Sequence, residues 1–250
     1  MPLLEQVVKL ADLLLTSKKT VVLTGAGIST ESGIPDFRSP GGLWSKADPM
    51  YAFSADTFNY RPAVFYRDGL PHLASINSAR PNRAHEVLAA LEKAGLLDCV
   101  ITQNVDSLHQ RAGSAGVWEV HGHLRSATCM QCGGQIIWDY LLDKVMAGQI
   151  PPRCNNCHGI YKPDCVFFGD PLTVDFMEAT RAVSNSELML VIGSSLEVEP
   201  VNHLPALAGK LVIINIGATA ADSKAKLIIN HRAGETMDML YKELLRRQVI

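Results

Sequence analysis

The sequence lacks long apolar runs and has almost no net charge. Its 250 residues carry 23 Lys and Arg against 25 Asp and Glu, a formal charge of −2. The longest apolar runs, at 188–192 and 211–214, are far below the roughly 18 residues that a membrane-spanning helix needs. Balanced charge provides no broad basic surface for a nucleic-acid backbone or an anionic membrane. We therefore expect neither a membrane nor a nucleic acid as a partner.

Charged residues are also scarce, at 19% of the sequence, whereas hydrophobic residues make up 47%. This composition supports a sizeable buried core and argues against intrinsic disorder. Residues 1–15 have apolar positions at helical spacing, with Glu5 and Asp12 among them and no basic segment before them. They predict an amphipathic helix rather than a secretory signal, and we expect a cytoplasmic protein.

Four short apolar runs each end in small or polar residues. They lie at 20–24, 98–102, 188–192 and 211–215. Runs of this kind are typical of buried parallel strands, and helical patterns such as 81–95 lie between them. The alternation predicts an open α/β sheet, whose ligands bind at the carboxyl ends of the strands. Segments 36–80 and 123–165 interrupt the alternation and are interpreted as insertions that build a smaller second lobe.

The first apolar run leads into a glycine-rich turn, Gly25-Ala26-Gly27. A Gly-x-Gly turn lets the backbone approach a pyrophosphate and presents amides to it. Thr30 occupies the place of the third glycine of the dinucleotide fingerprint. The turn could therefore equally be a tight connection between a strand and a helix, with no ligand.

Four of the six cysteines form two CxxC pairs that are separated by 21 residues, whereas Cys99 and Cys165 stand alone. Two such pairs place four thiolates around one metal ion and complete a tetrahedron, while a redox CxxC is the alternative. Four thiolates leave no open coordination position, so we expect one structural zinc ion. The predicted ligands are Cys129, Cys132, Cys154 and Cys157.

Polar residues follow the second apolar run, at 103–106 (QNVD). Their amide and carboxylate groups could hold ribose hydroxyls or a carboxamide, or they could be ordinary capping and turn residues. His121 could be a general base, because imidazole titrates near neutral pH, or simply a packed or surface histidine. The pair Phe167-Phe168 beside Gly169 fits a core as well as a recognition surface.

Taken together and in order, these segments resemble the sirtuins, a family of NAD-dependent protein-lysine deacylases. The resemblance extends from about Leu10 to Leu240 and is carried by Gly25–Ser29, Ser32–Arg38, Thr102–His109, His121-Gly122, the paired CxxC, Phe167–Gly169 and Gly193–Leu196. It implies a Rossmann-like parallel sheet with a smaller lobe made of a zinc-binding module and a helical module. The implied division assigns 1–35, 81–122 and 166–250 to the NAD-binding domain, 36–80 to the helical module and cofactor loop, and 123–165 to the zinc-binding module.

The resemblance also implies roles for single residues. His121 is the expected base, with Asn104 as a second catalytic residue, and Phe37 is expected to shield the reacting sugar carbon. Asp106 and Val105 are expected to form the carboxamide pocket. The other expected cofactor contacts are Gly25, Ala26, Thr30, Arg38, Gln103, Asn104, Gly193, Ser194, Ser195, Asn215 and Ala233. The substrate peptide is expected to add as a strand between 166–169 and 196–200, with His121, Val166, Phe168, Gly169 and Val198 as contacts.

The implied reaction consumes NAD and acetyl-lysine, and it produces nicotinamide, O-acetyl-ADP-ribose and deacetylated lysine in a protein or peptide. A protein mono-ADP-ribosyltransferase with the same NAD site is the alternative. The fold also allows a non-catalytic nucleotide- or zinc-binding module and a hydride-transferring dehydrogenase. Sirtuins that prefer acidic acyl groups carry a Tyr and an Arg three residues apart. Here Gly69 follows Tyr66 at that spacing, which favours a neutral acyl group such as acetyl. An arginine from elsewhere, such as Arg61 or Arg67, could still reach the pocket.

Overall fold

The described chain alternates strands and helices throughout its larger part. The structure, a computed structural model, describes residues 1–36, 49–74 and 76–250. Its strands there are β1 (Thr20–Thr24), β2 (Cys99–Thr102), β3 (Val117–Glu119), β4 (Gly122–Cys129), β5 (Gln135–Ile137), β6 (Tyr161–Cys165), β7 (Leu188–Ile192), β8 (Leu211–Ile214) and β9 (Leu227–Ile229). Its α-helices there are α1 (Leu3–Thr16), α2 (Pro49–Ala52), α3 (Ala55–Tyr60), α4 (Pro62–Val64), α5 (Leu70–Ala74), α6 (Arg83–Lys93), α7 (Leu108–Ala112), α8 (Trp138–Met146), α9 (Asp175–Ser184) and α10 (Ala233–Arg246).

A six-stranded parallel sheet forms the centre of the larger part, in the order β3-β2-β1-β7-β8-β9. This is the strand order of the dinucleotide-binding Rossmann fold, so the predicted parallel α/β sheet is confirmed. Strands β1 and β7 are buried along their whole length, which explains their uninterrupted apolar runs. The order reverses between these two strands, and ligands of such sheets bind in the crevice at that point.

Helices cover both faces of this sheet. Helices α1, α6 and α10 share one hydrophobic cluster with β1, β7 and β8, and α9 packs on the opposite face with Ala179 and Val183. The predicted N-terminal helix is confirmed as α1. The predicted helix at 81–95 is confirmed as α6, which begins after Asn82, whose side chain accepts a hydrogen bond from the Ala84 amide. The Asn82 cap and the buried apolar face therefore both stabilise α6.

The smaller part contains an antiparallel sheet in the order β5-β4-β6 and the short helices α2 to α5. Both contribute to one hydrophobic cluster, in which Phe58 and Phe65 lie against Phe167, with the centroids of the Phe65 and Phe167 rings 4.9 Å apart. Trp138 on α8 is buried in the same cluster. The two interruptions predicted in the alternating pattern thus pack against each other. Among the described residues, no helix combines the length and apolarity needed to cross a membrane.

Candidate active site and metal centre

The loops that follow β1 and β7 meet in backbone contact at the point where the strand order reverses. The Gly27 amide donates to the Gly193 carbonyl at 2.8 Å. A Cβ atom on Gly25 would lie 2.8 Å from the Gly193 oxygen, and one on Gly27 would lie 2.8 Å from the Gly193 Cα. Gly193 itself has a φ of +65°, a conformation that favours glycine. Only glycine fits at these positions, because the two loops are in backbone contact. We call the main chain of Gly25–Gly27 and Gly193 the backbone cradle.

Polar side chains from three strand ends join at this cradle. The side-chain amide of Asn104 donates to the Gly25 carbonyl at 3.1 Å and to the Ser29 hydroxyl at 3.2 Å. The Ser29 hydroxyl in turn donates to the Asp106 carboxylate at 2.7 Å. The Gln103 side chain donates to the Ser194 hydroxyl at 2.9 Å. The segment 103–106 is thus held directly against both glycine loops.

The Asp106 carboxylate is buried at the start of a sharply turned loop. It accepts hydrogen bonds from the Leu108 amide at 2.9 Å and from Ser29, while Ser107 between them has a φ of +57°. Burial raises the pKa of Asp106, and the two hydrogen bonds oppose that rise. Arg125 supports the turn, because it donates to the Ser107 hydroxyl at 2.6 Å and to both carboxylate oxygens of Glu119.

His121 lies between β3 and β4, beside the segment 103–106. Its Nδ1 atom is 3.0 Å from the Gln103 carbonyl oxygen. Because a carbonyl can only accept, Nδ1 carries the proton, and Nε2 of the neutral ring keeps its lone pair. Burial lowers the pKa of His121, with the bond to Gln103 acting in the opposite direction. The ring is therefore a neutral base with a fixed tautomer.

The other predicted contacts lie around the same edge of the sheet or outside the described residues. Phe37 and Arg38 lie outside the described residues. Asn215 directly follows β8, and its side chain donates to the Gly217 carbonyl at 2.8 Å. The Thr30 hydroxyl donates to the Gly27 carbonyl at 3.0 Å. The remaining placements are Ala26 at the start of the turn after β1, Val105 within the segment 103–106, Ser194 and Ser195 after β7, and Ala233 at the start of α10.

The predicted substrate segment Val166–Gly169 runs between His121 and the helical segment. The Val166 amide donates to the His121 carbonyl at 2.9 Å. The Phe168 amide donates to the Phe53 carbonyl, and the Phe168 carbonyl accepts from the Ala55 amide, both at 2.9 Å. Phe167 is 2% exposed, whereas Phe168 is only partly buried. The two phenylalanines thus differ, because Phe167 belongs to the core and Phe168 is partly accessible to solvent. Val198, on the opposing segment, is partly exposed.

Three residues at the site were given no role by sequence reasoning: Ser29, Glu31 and Arg125. Ser29 lies within a motif that was recognised, so its signal was present. Glu31 accepts a hydrogen bond from the Gly234 amide at 2.6 Å, at the start of α10. Glu31 and Gly234 are 203 residues apart, so no local pattern could connect them. Arg125 likewise acts on residues of two other segments.

The four cysteines of the paired CxxC form a second centre, in the smaller part. Their sulfur atoms all lie within 4.8 Å of one another, with 3.5 Å between Cys129 and Cys157 and 3.8 Å between Cys132 and Cys154. Four sulfurs at about 2.3 Å from a tetrahedral zinc ion lie roughly 3.8 Å apart. The donor set and its spacing therefore fit one zinc ion, with no position left for water.

A glycine packs against this sulfur cluster and provides a test of it. A Cβ atom on Gly159 would lie 2.8 Å from the Cys129 sulfur and 3.3 Å from the Cys157 sulfur. We expect Gly159→Ala to displace a thiolate and lower zinc affinity by about tenfold or more, measured as zinc release to a chromogenic chelator. Gly134→Ala is the matched control, because its Cβ would lie at an ordinary 3.5 Å from Cys132. Equal release rates for both variants would contradict the placement of the cluster.

Buried histidines make stability sensitive to acid. Burial lowers the pKa of His85 to about 4 from the usual 6.5, and it also lowers the pKa of His109 and His121. Between about pH 6.5 and pH 4 the unfolded chain binds a proton at His85 and the folded chain does not, so acid favours unfolding by about 1.4 kcal/mol per pH unit from this group, and His109 and His121 act in the same direction. The raised pKa of Asp106 opposes this trend. Urea denaturation should show a falling free energy of unfolding from about pH 7 to about pH 5; a flat or rising profile would contradict it.

Known proteins are similar to this chain in both sequence and overall fold. Residues 25–200 match the Sir2 family. The chain is 50% identical to "NAD-dependent protein deacetylase 2" of Caldanaerobacter subterraneus subsp. tengcongensis over 226 residues, 90% of each protein. A Sir2 variant with a deacetylated p53 peptide and 3′-O-acetyl ADP-ribose superposes with a TM-score of 0.92 at 41% identity, over 94% of this chain and 97% of that one. Sir2 with p53 peptide and NAD+ gives 0.87 at the same identity and coverage. The chain therefore belongs to the Sir2 family, the sirtuins.

Proposed function

We propose that this protein is an NAD-dependent protein-lysine deacetylase. The observation that carries the proposal is His121, a partly buried neutral imidazole whose Nδ1 proton is held by the Gln103 carbonyl. It lies beside a segment that is bonded to both glycine loops of a dinucleotide-binding sheet. The curated relatives at 41–50% identity are NAD-dependent protein deacetylases or deacylases by name, in agreement with this reading.

The cofactor lies in the crevice between the sheet and the smaller part. The backbone at Gly25, Ala26 and Gly193 and the hydroxyls of Thr30, Ser194 and Ser195 face its pyrophosphate. Gln103 and Asn104 contact the ribose next to the nicotinamide, Val105 and Asp106 hold the carboxamide, and Asn215 and Ala233 contact the adenosine end. Phe37 and Arg38 complete this set. The domain division 1–35, 81–122 and 166–250 against 36–80 and 123–165 is proposed on the same basis.

NAD supplies an activated ribose carbon from which nicotinamide departs as the acyl oxygen attacks. His121 accepts a proton from a ribose hydroxyl at Nε2, the atom that its bond to Gln103 leaves free. Its low pKa keeps the ring neutral near neutral pH, so it is ready to accept that proton. Asn104 orients the reacting sugar and is itself held by Gly25 and Ser29. Phe37, which lies outside the described residues, is expected to shield the reacting carbon from water.

The acyl-lysine peptide lies as a strand between Val166–Gly169 and the segment that contains Val198. The main-chain groups of Phe168 are already bonded to Phe53 and Ala55, so we expect the peptide to pair chiefly with Gly169 and Val198. Main-chain pairing tolerates many flanking sequences. The side chains of Val166 and Phe168 line the acyl-lysine tunnel.

The acyl group is a small neutral one such as acetyl. Tyr66 is 2% exposed and its hydroxyl donates to the Tyr161 carbonyl, so that hydroxyl already has a partner inside the protein. The Arg61 guanidinium donates to the Tyr51 hydroxyl at 3.2 Å, and the Arg67 guanidinium donates to the Ala63 carbonyl at 3.2 Å, both at the surface. Both arginines thus have partners at the surface, which supports an acyl tunnel without a cation for an acidic acyl group.

The protein works in the cytoplasm. The zinc centre consists of four thiolates, and thiols persist in a reducing compartment. This location also gives access to NAD and to intracellular proteins as substrates.

Mass spectrometry of the products tests the proposed function. An acetylated peptide incubated with the protein should lose its acetyl group only when NAD is present, with nicotinamide and O-acetyl-ADP-ribose as the other products. The same peptide without the acetyl group is the control. An NAD-dependent gain of mass on protein instead would support an ADP-ribosyltransferase, and the absorbance of reduced nicotinamide would support a dehydrogenase. Either result without deacetylation would refute the proposal.

A further inference from the structure

Two histidines that have no part in the proposed chemistry are completely buried next to each other. His85 on α6 is 0% exposed and His109 on α7 is 1% exposed. Their ring centroids are 4.8 Å apart, with an angle of 56° between the ring planes. Because a buried polar ring is costly unless it is hydrogen-bonded, both rings need partners.

The hydrogen bonds of each ring determine its tautomer. His85 accepts a bond from the Asn82 amide at Nδ1, 3.3 Å away, so its proton is on Nε2. The Nε2 atom of His109 is 2.9 Å from the Thr24 hydroxyl. With its own proton directed to Thr102, at 2.9 Å, that hydroxyl accepts from His109. The proton of His109 is thus also on Nε2, and its Nδ1 is a bare acceptor.

The two ring atoms left over are complementary. Among the described residues, His85 Nε2 and His109 Nδ1 have no hydrogen-bond partner although both are buried. One is a donor and the other an acceptor, so each is the partner that the other lacks. A small rotation of the rings, or one internal water that accepts from His85 and donates to His109, would join them. The hydrogen bonds would then run in one direction from Asn82 through both rings to Thr24 and Thr102.

The two ends of this chain reach two loops of the proposed cofactor site, the turn after β1 and the segment after β2. At one end, the Asn82 side chain donates to the Ile28 carbonyl at 2.7 Å and to the Ser32 hydroxyl at 2.9 Å, and it thereby holds the turn after β1. At the other end, the Thr102 hydroxyl accepts a hydrogen bond from the backbone amide of Asn104 at 3.0 Å. The chain therefore connects the glycine turn to the residue that orients the reacting ribose.

We propose that His85 and His109 act together as positioning residues, a neutral pair that holds the glycine turn and Asn104 in register for NAD. The inference rests on the proposed function, because it assumes that this crevice binds NAD. Neither ring touches the reacting atoms, so their loss should weaken NAD binding and raise the KM for NAD more than it lowers kcat. The low pKa of both rings keeps the pair neutral under ordinary conditions.

Ring-nitrogen spectra of the full-length, zinc-loaded protein labelled with 15N-histidine test the tautomers directly. Two rings, identified by their loss in His85→Asn and His109→Gln, should show the neutral form with the proton on Nε2. Their signals should stay neutral down to about pH 5, as expected for deeply buried imidazoles. Ordinary titration near neutral pH, or a proton on Nδ1 of either ring, would overturn the proposal.

Two variants that each remove only the contact between the rings of His85 and His109 test how that contact affects NAD binding. His85→Asn retains an acceptor for the Asn82 amide, and His109→Gln retains a donor for Thr24. We expect each to weaken NAD binding by about tenfold in calorimetry, the effect of one lost buried hydrogen bond. The double variant should bind no more than about tenfold weaker than wild type, because both substitutions break the same contact. His72→Asn, a change on α5, should bind as the wild type does.

The outcomes separate this inference from the proposed function. If the wild type does not bind NAD, the proposed function fails. If the wild type binds NAD and both single variants bind it as tightly as the wild type, the pairing is wrong. The pairing is also wrong if the loss of NAD affinity in the double variant is the product of the losses in the two single variants. If one variant does not fold, the other variant and the ring-nitrogen spectra of the wild type still decide the matter.

Discussion

Replacing His121 with alanine is expected to reduce deacetylation by about 10²- to 10⁴-fold, the contribution of a positioned general base. The ring is the group whose lone pair at Nε2 is left free by its bond to the Gln103 carbonyl. NAD and peptide should still bind with nearly unchanged affinity, because Asn104, Asp106 and the glycine loops are held by bonds that do not involve His121. Rapid-quench turnover, together with calorimetry of NAD binding, measures both quantities.

The pH profile and a matched variant provide the controls for this prediction. The base must be neutral to act, so kcat/KM should fall on the acid side of a pKa that lies below the usual 6.5. His72→Ala, which removes a histidine from α5, should have wild-type activity. Turnover in His121→Ala within a few-fold of the wild type would show that another group takes the proton.

Removal of zinc is expected to have the second large effect, on folding. All four ligands belong to the antiparallel sheet β5-β4-β6 and its connections: Cys129 ends the central strand β4, Cys132 follows in the turn to β5, and Cys154 and Cys157 lie just before β6. Structural zinc binding contributes about 10–16 kcal/mol in zinc-finger peptides, more than a small sheet of this kind provides by itself. Chelation should therefore unfold the smaller part, and activity should be lost with it because Phe167 packs in the same cluster. Circular dichroism and zinc content, followed together, measure this.

A pair of cysteine variants separates metal binding from the loss of a thiol. Cys132→Ala should bind much less than one zinc ion per chain and unfold at a markedly lower temperature. Cys99→Ala, which removes a buried thiol of β2 outside the cluster, should keep its zinc. A folded, active Cys132→Ala protein without zinc would contradict the structural role of the four thiolates.

The strands that sequence reasoning found and those it missed differ in burial. β1 and β7 are buried on both faces, and their continuous apolar runs were recognised at the observed bounds. β3 lies at the edge of the sheet and is half-buried at two of its three positions, so it has no apolar run. β9, at the other edge, has only three residues. Edge strands of this length are defined by pairing with a neighbour, which no local pattern records.

The sequence by itself determined the parallel sheet and the four-thiolate cluster, and it predicted most of the residues of the candidate site. These features depend on apolar runs and on spacings of a few residues, which are properties of neighbouring positions. Only the tertiary structure decided that Nε2 of His121 is the free base, that Asp106 is bonded to Ser29, and that His85 lies against His109. Each of these depends on atoms that are distant in the chain: the pairing of β2 with β1 and β3 brings Asp106 to Ser29 and His121 to Gln103, and the packing of α6 on α7 brings the two rings into contact. Protonation states and tautomers follow from burial and from such partners, and both exist only in the folded protein.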